Sequence, residues 1–250
     1  THDIYEIKQL AFIYHAVKRK IKVYISPRGT LSPVAISNNK IKKLIYIHFL
    51  FSFFVRQIEG FVALNYGEEQ VIRKKFKNKN IIIIGNGVDD NYQQFTRNIH
   101  NYKRKLREKI INIGFLGRFE IHIKGLDNLF NSYIEYQKQV KKINIKLTFI
   151  GEHTKKSIDS YNFFQDKITK LNDQSMVDFL PGKYNDEKWD ELSKLDIFMH
   201  PSRSEGMPNA VLEAMSMGLP CMISPQTNMG EIIELANCGW VIDNDIDSLL

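Results

Sequence analysis

The sequence contains few cysteines and no long hydrophobic run. Only Cys221 and Cys238 occur among the 250 residues, so a disulfide framework is not expected and a reducing, cytoplasmic setting is favoured. No run of 18 consecutive apolar residues is present, and therefore no membrane-spanning helix is predicted. Hydrophobic residues make up 43% and charged residues 25% of the chain, which excludes disordered and collagen-like classes. The chain is long enough for one large domain or two small ones.

Several motifs of common cofactor and metal sites are also missing. No Gly-x4-Gly-Lys-(Ser/Thr) segment occurs, so a P-loop nucleotidase is not expected. The Gly-Asn-Gly segment at 85–87 lacks the third glycine of a dinucleotide-binding motif. The seven histidines are scattered, without paired spacing or a cysteine partner. No metal site is therefore predicted.

Positive charge is concentrated in the first part of the sequence. Residues 1–109 carry 21 Lys+Arg and 8 Asp+Glu, whereas residues 110–250 carry 14 and 20. A basic half suits nucleic acid, an anionic membrane surface or phosphorylated substrates. A genome rich in A and T, which favours lysine, asparagine and isoleucine codons, explains the excess equally well.

Short apolar strands alternate with helices along most of the chain, which predicts parallel sheets covered on both faces. Strands are expected at 21–25, 61–64, 81–84, 110–116, 146–150, 177–180, 196–200 and 220–224. The pattern fails over residues 90–109, which are rich in Tyr, Gln, Asn and Arg. We therefore predict a domain at 1–95, a linker at 96–109 and a second domain at 110–250. Both ends of the sequence read as cut, so a fragment is expected.

An apolar stretch at 44–55 allows two interpretations. It contains five aromatic residues and is flanked by Lys42, Lys43 and Arg56, a composition typical of interfacial membrane helices. Its apolar residues form no single helical stripe, which favours a helix buried within the first domain. Peripheral membrane association therefore stays open.

The richest motif follows the strand that ends at His200. It reads Pro-Ser-x-x-Glu-Gly-x-Pro-Asn-x-x-x-Glu-Ala-Met over 201–215. Pro208 suits the first turn of a helix, where its missing N–H costs nothing. The uncapped amides that follow would form an anion site at the carboxyl edge of the sheet. Glu205 and Glu213 could accept hydrogen bonds from sugar hydroxyls, although two glutamates at this spacing also suit a solvated helix face. His200 itself is expected to be structural.

This run resembles glycosyltransferase family 4, whose members share the GT-B fold of two facing Rossmann-like domains. Further segments are similar to the same family: Gly-Arg…Lys-Gly over 117–125, Ser-Pro-Arg-Gly-Thr-Leu over 26–31, Asn-Gly-Val-Asp over 86–89 and the Gly-Glu pair at 151–152. The resemblance covers nearly all of the chain. It implies an α/β, GT-B protein with parallel sheets whose first domain is incomplete.

The resemblance also implies roles for individual residues. Arg118 and Lys124 would hold the donor diphosphate, where a positioned arginine and lysine stabilise developing negative charge without a metal. Glu205 would orient the sugar, and Glu213 would bind ribose hydroxyls. Two further sets complete the donor site. Backbone near Gly206, Met207, Asn209 and Ala210 would contact phosphate and sugar, and backbone at Leu180 would contact the base.

Arg28 departs from the family pattern, because many relatives place a histidine there. Arginine cannot act as a base, so any role would be hydrogen bonding or charge stabilisation. A turn residue facing solvent is an equal alternative.

The expected function is therefore an enzyme that transfers a sugar from a nucleotide-sugar donor, with retention, to a glycan or lipid-linked acceptor. No cofactor, metal or nucleic acid is expected. The setting would be bacterial surface polysaccharide or lipopolysaccharide synthesis, in the cytoplasm or at the inner membrane face. Alternatives are a non-catalytic nucleotide-sugar-binding protein, an inactive fragment, an epimerase or phosphorylase, and a nucleic-acid-binding module using Arg104 and Arg107.

Overall fold

The computed structural model describes residues 4–5, 7–37, 40–89, 92–95, 110–152 and 158–249. They form two compact units. The first comprises Thr1–Asn86 and Ser204–Met207, and the second comprises Gly87–Arg203 and Pro208–Leu250. The linker predicted at 96–109 lies outside the described residues and stays a prediction.

The first unit is built on a three-stranded parallel sheet. Its strands are β1 (Tyr24–Ile25), β2 (Gly60–Ala63) and β3 (Asn80–Ile83), in that spatial order. Its helices, which supply the crossovers that parallel strands need, are Ile7–Lys18, Pro33–Ser37, Lys40–Ile45, the π-helix Tyr46–Phe51, Ser52–Val55 and Tyr66–Lys75. In the core, the fully buried Phe61 of the central strand stacks on Phe76 with ring centroids 5.1 Å apart.

Two strands of the first unit differ from expectation. β1 is shorter than predicted because the backbone N–H of Ile21 bonds back to Ala16 O at 3.0 Å and closes the preceding helix. The strand predicted at 81–84 is present at Asn80–Ile83, but it is not buried, since Ile82 and Ile84 are 40% and 56% exposed. β3 is the last strand of the sheet. A run of isoleucines indicates a strand but does not indicate its place in the sheet.

The apolar stretch at 44–55 satisfies neither interpretation alone. Ile47, Phe51 and Val55 are buried in the core of the first unit. Other side chains of the same stretch point to solvent, among them Phe49, which is 78% exposed. The stretch is apolar all round because one face packs inward while another apolar face is exposed.

The second unit contains a six-stranded parallel sheet with the spatial order β6-β5-β4-β7-β8-β9. The strands are β4 (Ile111–Leu116), β5 (Ile145–Ile150), β6 (Val177–Leu180), β7 (Ile197–His200), β8 (Cys221–Ile223) and β9 (Gly239–Val241). The helices are Ile121–Lys124, Leu126–Gln139, Ile158–Ile168, Asn185–Ser193, Asn209–Ser216, Gly230–Leu235 and Ile246–Leu249. Short 3-10 turns lie at Gln174–Met176 and Pro225–Thr227.

Aromatic packing dominates the core of the second unit. Phe149 on β5 stacks on Phe179 of β6 at 5.1 Å, and Phe164 packs against Phe179 at 4.7 Å. Tyr133 lies in the same core, where burial raises the pKa of its phenol to about 12. Burial likewise raises the pKa of the Cys221 thiol to about 12, so this cysteine is a core residue and not a reactive group.

In the described part of the chain, no helix combines the length and the apolar character needed to cross a bilayer.

Candidate functional site

The order of strands in the second unit defines where a ligand would bind. β4 lies between β5 and β7 in the sheet, so the chain winds to one side after β4 and to the other side from β7 onward. Ligands in open parallel sheets bind at such a switch point, beyond the carboxyl ends of the strands. The loops at this point are residues 117–120, which follow β4, and the loop that begins at Pro201, which follows β7. Arg118 lies in the first of these loops, and Lys124 and Asn209 lie in the helices that follow the two loops.

The loop after β4 is fixed by close backbone contacts. The N–H of Gly117 donates to Ile150 O at 2.9 Å, and the N–H of Phe119 donates to Glu152 O at 3.0 Å. A Cβ on Gly151 would collide with the carbonyl oxygen of Gly117. The Phe119 side chain is buried at 2% exposure. These contacts turn the intervening Arg118 outward.

Arg118 is exposed and has an acidic neighbour. Its side chain is 66% exposed, and its Nη1 lies 3.2 Å from Glu120 Oε1. Exposed ion pairs of this kind are worth about 0–1 kcal/mol. An anion could therefore draw Arg118 away from Glu120 at small cost.

Lys124 ends the short helix Ile121–Lys124, and Gly125 stops the helix in a left-handed conformation with φ 67°. A side chain at Gly125 would collide with Pro201 O and with the Asn244 side chain. Asn244 Nδ2 itself donates to Pro201 O. The segment that carries Lys124 therefore packs directly against the start of the loop after β7.

Arg203 fastens the same two segments and was not predicted from the sequence. Its backbone N–H donates to Ile123 O at 2.8 Å, and its Nη1 donates to His122 O at 2.7 Å. The same Nη1 lies 2.6 Å from Asp127 Oδ1, and both side chains are about three-quarters buried. Arg203 occupies a position of the motif at which any residue type is allowed, so the motif did not indicate a role for it. The carboxylate of the Lys-Gly-Leu-Asp run at 124–127 was the one available hint.

His200 is the last residue of β7 and directly precedes the loop that begins at Pro201. It is 1% exposed, and its ring stacks on Phe115 at 5.4 Å and on Phe198 at 6.0 Å. A buried imidazole stacked against two aromatic rings fits the structural role that the sequence predicts.

The helix Asn209–Ser216 begins at the end of the loop after β7. Pro208 is the N-cap and not the first helical residue, a shift of one position from the prediction, with an extended ψ of 120°. In the described chain no side chain caps this end. The first amides, those of Asn209 and Ala210, therefore have no partner within the helix and face the carboxyl edge of the sheet. This is the backbone arrangement that favours anions.

Glu213 lies one turn further along this helix. Its Oε1 accepts from Lys188 Nζ at 2.8 Å, and both side chains are less than one-fifth exposed. Lys188 also lies 4.3 Å above the ring of Trp189. Lys188 was not predicted from the sequence, because it is a single cation in a mixed-charge helix. The second carboxylate oxygen of Glu213 can still accept a hydroxyl donor.

Leu180 ends β6, where its carbonyl accepts from the Gly151 N–H at 3.1 Å. Beyond it, Gly182 packs closely against Glu152. Tyr184 Oη donates to Glu152 Oε1 at 3.2 Å, and this hydrogen bond raises the pKa of Tyr184. Polar groups therefore surround the end of β6, where a nucleobase was predicted.

In the first unit, Arg28 and Gly29 follow β1 in two successive left-handed conformations, with φ 52° and 80°. The buried carboxylate of Glu68 holds this turn, since it accepts from Gly29 N at 2.6 Å and from Leu64 N at 2.8 Å. Asn65 caps the helix that carries Glu68, with Oδ1 accepting from the Glu68 N–H at 2.9 Å. Glu68 has no assigned role in the sequence analysis, although Asn-x-x-Glu is a capping-box spacing.

The segment Ser204–Met207 belongs to the first unit and packs beside Arg28 and Gly29. Asn65 Nδ2 donates to Gly206 O at 2.7 Å, and Asn86 Nδ2 donates to Met207 O at 2.9 Å. A Cβ on Gly206 would lie 3.0 Å from the Arg28 backbone.

Arg28 makes one further contact within the first unit. Arg28 Nη2 donates to Asn86 Oδ1 at 3.0 Å, so Arg28 is hydrogen-bonded, although its side chain is exposed. The structure therefore brings Glu205, Gly206, Met207 and Arg28 together.

Among the described residues, no group of three His, Cys, Asp or Glu side chains could hold a metal ion.

Comparison with known sequences links most of the chain to one enzyme family. Residues 96–249 match the family model described as glycosyl transferases group 1. An uncharacterized glycosyltransferase of Haemophilus influenzae is 26% identical over 235 residues, which are 88% of this chain and 61% of that protein. A UDP-Gal:alpha-D-GlcNAc-diphosphoundecaprenol alpha-1,3-galactosyltransferase of Escherichia coli is 43% identical over 60 residues, which are 24% of this chain and 16% of that enzyme.

Comparison with solved structures concerns the fold. Anabaena HepE, solved with UDP and glucose, has a TM-score of 0.74 at 16% identity, with 97% of this chain and 64% of that chain covered. WaaG, a glycosyltransferase involved in lipopolysaccharide biosynthesis, has a TM-score of 0.66 at 17% identity, with 96% and 70% covered. The chain thus spans about two-thirds of the length of these structures. Its fold is that of GT-B glycosyltransferases, and the predicted α/β class with parallel sheets is confirmed.

Proposed function

The chain belongs to the group 1 glycosyl transferases, and from this premise we propose that it transfers a sugar from a nucleotide-sugar donor to a glycan or lipid-linked acceptor. The anomeric configuration of the donor would be retained. The reaction needs no metal, because cationic side chains and backbone amides supply the positive charge.

One observation carries the proposal. The loop with Arg118, the helix end with Lys124 and the uncapped start of Asn209–Ser216 all lie at the switch point between β4 and β7. Each of them favours an anion. A diphosphate bound at this edge would meet all three.

The diphosphate is where catalytic assistance is needed. As the bond to the sugar breaks, negative charge grows on the leaving oxygen, and groups already in place stabilise that charge without reorganisation. Arg118 would offer a planar set of donors, and Lys124 a compact charge. The amides of Asn209 and Ala210 would bind the same phosphates. Lys124 is also the better positioned cation, since Gly125 and Arg203 fix the segment that carries it.

The other predicted residues would recognise the sugar and the nucleoside. Glu205 would accept hydrogen bonds from the transferred sugar and favour positive charge at the anomeric carbon. Glu213 would accept from ribose through the oxygen that Lys188 leaves available, and Leu180 would contact the base. Arg28 is hydrogen-bonded to Asn86 near Gly206. Its guanidinium would donate hydrogen bonds to the nucleotide-sugar.

The natural substrates are proposed from the relatives. The Escherichia coli relative is a UDP-Gal enzyme acting on a diphosphoundecaprenol acceptor, and HepE was solved with UDP and glucose. A UDP-sugar donor and a lipid-linked acceptor of surface polysaccharide synthesis at the cytoplasmic membrane face are therefore our first candidates.

Turnover of UDP-sugars by the complete protein tests the proposal. We expect Lys124→Ala to reduce turnover about ten- to hundredfold, because one charge-assisted hydrogen bond of about 1.5–3 kcal/mol is lost in the transition state. Glu205→Gln should reduce turnover at least about tenfold, since the charge that stabilises the sugar is removed.

Two exposed residues of the second unit provide matched controls. Lys142→Ala and Glu234→Gln make the same chemical changes away from the switch point and should leave turnover unchanged. Unchanged turnover in both Lys124→Ala and Glu205→Gln would refute the assigned roles. Calorimetry with UDP separates binding from reaction, and binding without turnover in the complete wild-type protein would show a non-catalytic nucleotide-sugar-binding protein.

A further inference from the structure

The helical segment at 40–55 exposes a continuous apolar stripe. Ile41, Ile45, Phe49 and Phe53 recur every four residues and are 75%, 55%, 78% and 58% exposed. Single exposed apolar residues are normal in any protein. Four large ones in one row on a helical segment form a patch, and patches of this kind mark interaction surfaces.

A π-helical turn produces the four-residue spacing. The N–H of Ser52 donates to Ile47 O, which is an i to i+5 bond and therefore a wider turn than that of an α-helix. The buried residues Ile47, Phe51 and Val55 follow the same spacing on the opposite face. The core-facing row fixes the orientation of the helical segment, so the exposed row is held outward. A period of 3.6 residues detects neither row.

The charged side chains of the helical segment itself are all basic. Residues 40–58 contain four basic residues and no aspartate or glutamate. Lys42 and Arg56 are exposed beside the stripe. Lys43 is used within the unit, because its Nζ donates to Ala35 O. An apolar row flanked by cations complements an anionic bilayer surface, which offers acyl chains below and phosphate groups above.

A protein partner is a poorer match to this surface. The cores of protein interfaces are depleted of lysine, whereas exposed Lys42 stands three residues before Ile45, a neighbouring position on a helix surface. We propose that Ile41, Ile45, Phe49 and Phe53, with Lys42 and Arg56, dock the protein on a membrane rich in anionic lipid. The docking is distinct from sugar transfer. Its use, delivery of a lipid-linked acceptor, rests on the proposed function.

Vesicle binding tests the docking directly. The complete protein should co-sediment with vesicles that contain about one-third phosphatidylglycerol and bind pure phosphatidylcholine vesicles more weakly, with binding to the anionic vesicles falling as salt rises. Phe49→Ser with Phe53→Ser should weaken binding at least about tenfold, because two aromatic side chains that would insert into the bilayer are lost. Lys42→Gln with Arg56→Gln should weaken it about fivefold for each charge removed, and only on anionic vesicles.

A matched control removes an exposed leucine elsewhere. Leu235 in the second unit is 81% exposed, and Leu235→Ser should leave vesicle binding unchanged. Phe49→Trp adds a depth reporter, whose fluorescence should be quenched by brominated acyl chains beyond the quenching of Trp189 and Trp240. All substituted side chains are exposed, so unfolding temperatures should match that of the wild type.

The outcomes distinguish this inference from the proposed function. If the Phe49→Ser, Phe53→Ser variant lost vesicle binding but still cleaved the nucleotide-sugar in solution at the wild-type rate, docking would be supported as a property separate from sugar transfer. Wild-type binding by the Phe49→Ser, Phe53→Ser variant would overturn it. Self-association of the wild type that this variant abolishes, without vesicle binding by the wild type, would also overturn it and assign the stripe to a protein contact.

Discussion

The loops that follow β4 in the second unit and β1 in the first unit are held in different ways. The second unit uses direct contact of backbone with backbone, as where Gly151 meets Gly117. The first unit uses a buried carboxylate, Glu68, that gathers the amides of Gly29 and Leu64. Backbone contact holds the loop of the second unit without placing a charged group beneath it. The first unit already places a negative charge beneath its turn, and that charge is fully used in holding the backbone.

The comparison predicts that the second unit is sensitive to added volume. Gly151→Ala should lower the free energy of unfolding by roughly 3 kcal/mol, because its Cβ would overlap the Gly117 carbonyl and backbone cannot move aside cheaply. Chemical denaturation measures this change. Gly87→Ala is the control, since nothing lies within 4 Å of its added Cβ, and it should cost less than about 0.5 kcal/mol. Equal effects of the two substitutions would mean that the loop is not held by this contact.

The first unit should instead be sensitive to loss of charge at unchanged volume. Glu68→Gln should lower the free energy of unfolding by about 2–3 kcal/mol, because one oxygen that accepts an amide becomes a donor facing a donor. Thermal or chemical denaturation is the measurement.

The neighbouring residue supplies the matched control for this substitution. Glu69 makes a partly exposed i,i+4 pair with Arg73, and Glu69→Gln should cost about 0.3–0.5 kcal/mol. If Glu68→Gln were as mild as its neighbour, the turn would not depend on the carboxylate.

The smallest expected effect concerns how the second unit presents Lys124. Arg203→Ala removes the bonds to His122 O and Asp127 and frees the segment that ends in Lys124. Affinity for UDP, measured by calorimetry, should fall about tenfold, and Arg203→Lys should restore part of it because one cation can still reach Asp127.

A purely structural role for Arg203 would give a different pattern. In that case the unfolding temperature would fall while the affinity of the folded protein for UDP stayed at the wild-type value. Arg73→Ala, which removes an exposed ion pair of the first unit, should change neither quantity.

Most of the second unit was predictable because its strands are apolar runs separated by turn residues. β4 to β8 lie within one or two residues of the predictions. β9 was missed because it is only three residues long, includes a glycine and exposes Trp240. Edge position alone does not hide a strand, since β6 at the opposite edge of the sheet was predicted.

Residues of the candidate site also fall into two groups, those within contiguous motifs and those whose partners are distant in sequence. Segments such as Gly-Arg…Lys-Gly and the motif at 201–215 are contiguous, so the sequence was sufficient to single out Arg118, Lys124 and Glu205. Arg203, Lys188 and Glu68 act through partners that are distant in sequence, at Asp127, Glu213 and Gly29. A single charged residue has no pattern of its own, and its role depends on tertiary contacts.

The π-helical turn at 46–51 sets the rotation of the helical residues that follow it relative to those that precede it. Because each residue of an α-helix advances about 100° and each residue of the wider turn advances less, an ordinary α-helical course of the same residues through 46–51 would rotate everything after it by roughly that angle. Val55 would leave the core, and the aromatic ring of Phe53 would swing toward the unit's interior. The two apolar rows would then lose their common phase, so loss of the wider turn would abolish the outer surface without altering the composition that defines it.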